Sequence, residues 1–267
     1  MNPTPTPEHA SPSDRAAAGR VRKLFDVARE LESRVLEGTP ADEWLAGWFR
    51  AHRECGSRDR RFLADTLFSA FRWRGWIGSL ETNGPIALLA AHQLQALESD
   101  AMTPALAAAA EAPPDRIPAL GSATLDEKSR VLAGVLGDPD LSAERLVPDW
   151  VPAAMACPPE TSPDAFLRSC IESFQSRPPL WLTALNGSSG ELAGRLRDEG
   201  WMSVAESRIP GAVRVEARLQ LQELEKKIGP CFEVQDLASQ SVVAICEAQP
   251  GQVWWDACAG GGGKTIG

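Results

Sequence analysis

The stretch with the clearest chemical pattern is a glycine-rich loop close to the end of the sequence, residues 256–265. A short apolar run, Val253–Trp255, comes before it and is long enough for a buried strand but too short for a helix. The run ends at Asp256, and four consecutive glycines are followed by Lys264. Open α/β sheets bind nucleotide-like ligands at such loops, because glycine lets the backbone approach the ligand and turn its N–H groups toward polar atoms. The pattern therefore predicts a ligand-binding loop.

Two other interpretations of this loop stay open. A phosphate-binding P-loop requires the pattern G-x-x-x-x-G-K-S/T, and Cys258 occupies the place of its first glycine, which argues against a nucleoside triphosphatase. A flexible glycine-rich tail explains neither the apolar run nor Asp256.

The segment Asp256–Thr265 resembles the D-x-C-A-A-P-G-G-K-T signature of the Sun/RsmB family, the S-adenosylmethionine-dependent RNA (cytosine-5) methyltransferases. Gly260 and Gly261 stand where the family has Ala and Pro. Proline fixes φ, so its absence predicts a more flexible loop. The resemblance implies S-adenosylmethionine as cofactor, bound mainly through backbone N–H groups, with Lys264 reaching the carboxylate. The implied cofactor-binding residues are Cys258, Ala259, Gly260, Gly261, Gly262, Gly263 and Lys264.

A second segment, Gln235–Gln240, is similar to the Q-D-x-A-S-Q motif that family members carry just upstream of the cofactor loop. From the residues alone, it is a short strand followed by a helix, with Asp236 as the N-cap. The two motifs occur in the family's order, and the resemblance extends over residues 20–267.

Methylation of cytosine at carbon 5 requires a nucleophile at carbon 6 and a base that later removes the carbon-5 proton. The family places its nucleophilic cysteine in a T-C motif and a helper in a P-C motif, both downstream of the glycine loop, and neither occurs in this sequence. Cys258 belongs to the cofactor signature and is not expected to be the nucleophile. The resemblance therefore predicts the N-terminal part of an RNA 5-methylcytosine methyltransferase, acting on ribosomal RNA, with no catalytic residue of its own and inactive alone.

Two further functions stay open. The chain is alternatively a non-catalytic RNA-binding protein that keeps the helical domain without the catalytic half. A nucleotide-binding module that uses Gly260–Lys264 is the other candidate, and it would bind ATP rather than S-adenosylmethionine.

Composition sets limits on these functions. The 267 residues leave room for about two domains, and no uncharged apolar run approaches a membrane span. The N-terminus has no signal-peptide pattern, so a cytoplasmic protein is expected. The net charge of −9 argues against a general nucleic-acid binder, so that RNA contacts must come from a local basic patch. The six cysteines form no C-x-x-C pair, which excludes the usual zinc spacings, and no metal is expected.

Such a basic patch occurs within residues 50–74, where seven arginines alternate with aromatic residues. The segment from Gly56 to Arg72 is similar to the NusB-like helical domain at the N-terminus of Sun/RsmB proteins, which is taken to help hold RNA. Arginine pairs with phosphate oxygens, and the predicted RNA-binding residues are Arg58, Arg60, Arg61 and Arg72. The alternative is that the aromatic residues belong to the core and the arginines form a solvated face with internal ion pairs.

The predicted fold is multidomain. A disordered leader (1–13) precedes an all-α, NusB-like helical domain (14–147) and a proline-rich linker (148–163). A small α+β RNA-binding subdomain (164–231) follows, and Thr183 lies near the position of an arginine in the family's first strand. Residues 232–267 are predicted to begin a truncated, Rossmann-like α/β methyltransferase domain, poorly packed because a lone strand leaves both its edges unpaired. RNA is the expected partner, without a membrane, and the oligomeric state stays open with a monomer as the default.

Overall fold

The computed structural model describes residues 11–185, 187–215 and 221–265 of the chain. This part of the protein is mostly helical, with twelve α-helices and a small four-stranded antiparallel sheet near the C-terminus, and is α+β overall. The chain divides into two compact units, Met1–Ser176 and Arg177–Gly267, each described separately below.

The first unit is helical. Its elements are α1 (Pro12–Leu36), α2 (Ala41–Ala51), α3 (Ser57–Arg72), α4 (Arg74–Ile77), α5 (Leu80–Gln95), α6 (Thr103–Ala109), α7 (Leu125–Leu136), a 3-10 helix (Ala143–Leu146), α8 (Val151–Ala154) and α9 (Pro163–Gln175).

Local capping explains where several of these helices begin and end. Helix α7 begins with a capping box between Thr124 and Glu127, and it ends at Gly137 in the left-handed conformation. Helix α1 begins with a second capping box, between Ser11 and Asp14. The predicted leader of residues 1–13 is therefore too long, since residues 11–13 open α1, while its residues 1–10 lie outside the described part of the chain.

Helix α5 lies at the centre of the helical unit. Residues 87–94 are all buried, which is expected of a helix that neighbours cover on every side. Helix α3 packs against it through Leu63 and Leu67, and helix α1 contributes Leu24 and Leu31 to the same core. Each fully buried leucine contributes about 1.5–3 kcal/mol relative to an exposed one.

Helix α9 belongs to this first unit, although the sequence placed it in the following subdomain. Its Ile171 is fully buried in the helical core, and Leu167 packs against the same core. Arg168 also forms an ion pair of 2.8 Å with Asp126 of α7. The boundary between the units thus follows Ser176, where the apolar face of α9 ends, and not residue 163.

The second unit contains β1 (Leu180–Ala184), α10 (Ser189–Asp198), β2 (Ser203–Ala205), β3 (Ala212–Val215), α11 (Leu221–Ile228), β4 (Phe232–Val234) and α12 (Leu237–Cys246). The strands lie in the order β2-β3-β1-β4, and every neighbouring pair is antiparallel. The order β-α-β-β-α-β along the chain combined with this strand order is the ferredoxin-like, split β-α-β arrangement.

One face of the sheet packs against helices α10 and α11. Leu182 of β1 and Val213 of β3 lie directly opposite each other and are fully buried against Leu196 and Leu224 of the two helices. Since side chains alternate along a strand, Trp181 and Thr183 of β1 point to the opposite face of the sheet.

Strand β4 completes this sheet. Thr183 pairs with Glu233, and Ala184 pairs with Phe232. Residues 232–234, which were expected to begin the methyltransferase domain, thus form an edge strand of the small α+β unit.

The predicted strand Val253–Trp255 does not form. These residues have no strand conformation, and their side chains are 100%, 56% and 88% exposed. Within residues 11–185, 187–215 and 221–265, no strand pairs with this run and no apolar surface covers it, so neither condition for a buried strand is met. Residues after 232 were expected to be poorly packed. Residues 253–255 are poorly packed, but Gln235 and Gln240 are buried.

Candidate functional site

The glycine-rich loop follows a series of tight turns. The N–H of Gly262 donates to the carbonyl of Ala259 over 2.7 Å, and the N–H of Thr265 donates to the carbonyl of Gly262 over 2.9 Å. Gly260 and Gly262 have φ values of +52° and +87°. Glycine adopts this left-handed region without steric strain, so that these two residues set the path of the loop.

Asp256 closes the loop at its base. Its Oδ1 accepts a hydrogen bond of 3.0 Å from the Cys258 N–H, and its Oδ2 accepts one of 2.6 Å from the Thr265 hydroxyl. The pKa of Asp256 lies below its ordinary value, mainly because of the hydrogen bond from the Thr265 hydroxyl. The hydrogen bond from the Cys258 N–H and the charge of Lys264 lower it further. The carboxylate is therefore ionised at neutral pH, as an acceptor of two hydrogen bonds should be.

Gln235 joins the loop to the sheet. Its Nε2 donates to the carbonyl of Gly263 over 2.8 Å, and its Oε1 accepts from the Thr183 hydroxyl of β1 over 2.9 Å. The backbone N–H of Gln235 also donates to the carbonyl of Trp181. Gln235 is 8% exposed and Thr183 is 7% exposed, so these hydrogen bonds are largely shielded from competition by water.

Gln240, the last residue of the Q-D-L-A-S-Q segment, supports this arrangement. Its Nε2 donates to the backbone carbonyl of Gln235 over 2.7 Å. Its Oε1 is buried and has no hydrogen-bond donor within the described residues. Asp236 occupies the N-cap position of α12 as predicted, but its side chain makes no capping hydrogen bond. Gln235 thus contacts the loop directly, and Gln240 holds the backbone of Gln235.

The predicted cofactor-binding residues lie together on this loop. Cys258, Ala259, Gly260, Gly261 and Lys264 are exposed, whereas Gly262 and Gly263 are half-buried. Within the described part of the chain, no acceptor receives the N–H of Gly260, Gly261 or Lys264. Amide donors beside an exposed ammonium group suit the carboxylate of a small ligand. The donor set is therefore compatible with the carboxylate of S-adenosylmethionine.

The four predicted RNA-binding arginines differ in their surroundings. Arg58 and Arg61 are exposed, and because they stand three residues apart on α3 they share one face of the helix. Arg60 is held within the protein, since its Nε donates to the Cys55 carbonyl over 2.8 Å and its guanidinium lies over the ring of Phe49. Arg72 is half-buried. Arg58 and Arg61 are thus the two with solvent-facing side chains.

The aromatic residues within and just after this arginine-rich segment belong to the core. Trp73 and Trp76 are buried, and Phe62 packs edge-on against the ring of the buried His92. Arg74 forms an ion pair of 3.2 Å with Glu32, whose side chain is 5% exposed. These contacts agree with the alternative interpretation of the patch, in which the aromatic residues are structural and some arginines have internal partners.

The face of the sheet opposite α10 and α11 was not predicted from the sequence as a candidate binding surface. Trp181 is half-buried there and lies opposite the exposed Arg214, while Val204 next to Arg214 is 52% exposed. Alternation in Leu180–Ala184 could have indicated that Trp181 and Thr183 share a face. No spacing in the sequence pointed to the contact between Thr183 and Gln235.

Other types of site receive no support from the described residues. Two grooves of about 260 and 300 Å³ lie in the helical unit, and neither includes residues of the glycine loop. No described cluster of histidine, cysteine and acidic residues could hold a metal ion, and no described helix is both long and apolar enough to cross a membrane.

In comparisons with known proteins, no protein-family model matches this chain and no curated protein matches it significantly. The candidate site accordingly rests on the geometry of the loop and on the resemblance of its two motifs.

Proposed function

We propose that this chain is the N-terminal part of an S-adenosylmethionine-dependent RNA methyltransferase that modifies carbon 5 of cytosine, with ribosomal RNA as substrate. The observation that carries the proposal is the hydrogen bond between Gln235 and the Gly263 carbonyl. It joins the two motifs that resemble the Sun/RsmB family, although they are separate in the sequence. A random coincidence of two short motifs would give no reason for them to touch.

In this proposal the residues from Cys258 to Lys264 bind the methyl donor. The N–H groups of Gly260 and Gly261 and the ammonium of Lys264 contact its carboxylate, while Asp256 keeps the loop closed. Bound S-adenosylmethionine supplies an electrophilic methyl group. The residues of the loop would hold the donor in place.

No residue of this sequence is assigned as the nucleophile. Cytosine becomes reactive at carbon 5 only after a thiolate has added to carbon 6. Cys258 lies within the donor-binding loop and is assigned to binding of the donor. The chain is thus assigned binding of the donor and of RNA, and the thiolate belongs to a catalytic half that is not in this sequence.

Two surfaces are proposed to bind RNA. In the helical unit, which the proposal equates with a NusB-like domain, Arg58 and Arg61 present two cationic groups on one helix face. In the α+β unit, the face of the sheet opposite α10 and α11 presents Trp181 and Arg214 on its two central strands. Nucleobases stack on aromatic side chains in just such a position on four-stranded sheets that bind single-stranded RNA.

Calorimetric titration of the full chain with S-adenosylmethionine tests the donor site. We expect binding, and we expect Lys264→Gln to weaken it about tenfold through loss of one charge-assisted hydrogen bond. Lys226→Gln, which changes an exposed lysine of α11, is the matched control and should bind as the unchanged chain does. Binding of ATP in place of S-adenosylmethionine would favour the nucleotide-binding alternative and overturn the assignment.

A second function, RNA binding without methyl transfer, is favoured by the sheet face with Trp181 and Arg214. Fluorescence anisotropy with a single-stranded, cytosine-containing RNA separates it from the first. Salt-dependent RNA binding by a chain that has no affinity for S-adenosylmethionine would support this second function.

A further inference from the structure

The glycine loop is connected to the small sheet by a continuous set of side-chain hydrogen bonds. Thr183 donates to Gln235, and Gln235 donates to Gly263. Gln240 then fixes the backbone of Gln235 from the other side. The bonds begin at the middle of β1 and end one residue before Lys264.

We propose that Gln235 is a positioning residue for the donor loop, and that Thr183 anchors its amide to strand β1. This inference rests on the proposed function, because it names what holds the donor-binding loop in its binding conformation. Gln235 itself does not contact the donor in this proposal. It acts through the carbonyl of Gly263.

The orientation of the amide follows from its partners. The Gly263 carbonyl can only accept, so it requires the amide nitrogen, and the amide oxygen then accepts from the Thr183 hydroxyl. Neither glutamate nor a reversed amide could satisfy both partners, since the Gly263 carbonyl can only accept. The pair Thr183 and Gln235 therefore selects one position of the Gly263 peptide.

This position matters for the donor site because the peptide of Gly263 leads directly into Lys264. Gly262 has a φ of +87°, and no atom lies within 4 Å of a Cβ added at Gly261 or Gly263. Packing therefore does little to hold the loop, and glycine residues lose the most freedom when they become ordered. A directional hydrogen bond to Gly263 supplies part of the order that packing lacks.

The first test measures S-adenosylmethionine affinity by calorimetry on the full chain. Gln235→Glu keeps the size of the side chain but removes the donor to Gly263, and we expect at least about tenfold weaker binding. Gln249→Glu makes the same chemical change at an exposed glutamine and should leave the affinity unchanged.

Thr183 offers a second matched pair. Thr183→Val removes the hydroxyl and should weaken binding severalfold, whereas Thr183→Ser keeps the hydroxyl and should restore it. In Thr183→Val combined with Gln235→Glu, the two effects should not multiply, because both substitutions remove the same connection. Equal melting temperatures would show that the variants act on the loop and not on the stability of the unit.

The second test needs no ligand. Endoproteinase Lys-C cuts after lysine and not after arginine, and cleavage after Lys264 removes residues 265–267, which an intact mass measurement detects. If Gln235 orders the loop, Gln235→Glu should be cut after Lys264 severalfold faster than the unchanged chain and than Gln249→Glu. Cleavage after Lys226 in α11 serves as the internal reference.

The two tests separate the inference from the proposed function. Suppose that the unchanged chain does not bind S-adenosylmethionine, while Gln235→Glu is cleaved faster. The proposed donor site would then be wrong, but Gln235 would still order the loop. If instead the S-adenosylmethionine affinity of Gln235→Glu stays within twofold of the unchanged chain and cleavage after Lys264 is unchanged, Gln235 does not position the loop. The proposed donor site would then still stand.

Discussion

The Thr265 hydroxyl donates a hydrogen bond of 2.6 Å to the carboxylate of Asp256, nine residues earlier in the chain. This contact brings the two ends of the glycine loop together. With the bond from Gln235 to Gly263, the loop is held at its base and near its last glycine, while Gly260 and Gly261 are exposed between these points.

The hydrogen bonds that close the loop should be lost at acid pH, when Asp256 becomes protonated. The folded loop lowers the pKa of Asp256 through the Thr265 hydroxyl and the Cys258 N–H. Its contribution is therefore complete above the ordinary aspartate pKa of about 3.9 and is lost as the pH falls through the lower value of the folded loop. In NMR spectra recorded between pH 7 and pH 2, we expect the amide signals of Cys258 and Thr265 to move together in this acid range. The same signals should not titrate there in Asp256→Asn.

Gly260 and Gly261 should respond differently to alanine. Gly260 has a φ of +52°, which alanine adopts at a cost of about 1–2 kcal/mol. Gly261 has no atom within 4 Å of an added Cβ and lies outside the left-handed region. Gly260→Ala should therefore weaken S-adenosylmethionine binding by roughly five- to thirtyfold, whereas Gly261→Ala should change it little. Similar affinities for both variants would show that the loop binds the donor in another conformation.

Arg58 and Arg61 are expected to bind phosphate groups of RNA. Removing one arginine–phosphate ion pair should lower the slope of log affinity against log salt concentration by about 0.7 for single-stranded RNA. We therefore expect the double variant Arg58→Gln, Arg61→Gln to bind RNA more weakly and with a slope reduced by about 1.4 in anisotropy titrations from 50 to 200 mM salt. Arg130→Gln, at an exposed arginine of α7, is the control and should keep the full slope.

Trp181 should affect single-stranded RNA selectively. Stacking of a base on an aromatic side chain contributes about 1–3 kcal/mol, so Trp181→Leu should reduce the affinity for a single strand by roughly five- to a hundredfold. The affinity for a duplex of the same sequence should change little, since its bases are already stacked. An equal reduction for both RNAs would indicate that the substitution alters the fold of the sheet.

Glu32 should stabilise the helical unit. Its buried carboxylate accepts hydrogen bonds of 3.1 Å from the Ser79 hydroxyl and the Glu81 N–H, and it pairs with Arg74. Loss of these bonds in Glu32→Ala should lower the free energy of unfolding by about 1–3 kcal/mol in urea, with the partly exposed Arg74 contributing little of that. Glu30→Gln on the same helix is exposed and should stay within about 0.5 kcal/mol of the unchanged chain.

The helices were predictable from sequence where caps and periodicity agree. Thr124, Glu127 and Gly137 define both ends of α7 in the sequence and in the structure. Proline lacks an N–H and usually lies near a helix start, yet Pro85 lies inside α5. The structure begins it at Leu80, with Ser79 as the N-cap and Pro85 inside, since burial of the helix outweighs the one hydrogen bond that proline cannot make.

Only the loop of the candidate site was predictable from the sequence, and not the side chains that hold it. The sequence indicated that residues 256–265 form a loop, because four glycines in a row favour no other structure. It could not indicate that Thr183 and Gln235 meet, since 52 residues separate them and their contact depends on the pairing of β1 with β4. The strand predicted at Val253–Trp255 was wrong because an apolar run forms a buried strand only when other strands and helices cover it.

The position of β1 between β3 and β4 also has a consequence for synthesis on the ribosome. All residues of the helical unit precede Arg177, so its core can assemble while the rest of the chain is still being translated. Strand β1 emerges soon afterwards but cannot complete its pairing until Val234 has also emerged. At roughly 5–20 residues per second, β1 waits several seconds with an unpaired edge. During that interval a nascent chain exposes the edge of β1 that later pairs with β4, and a chaperone that binds extended segments should bind it there rather than at the helical unit.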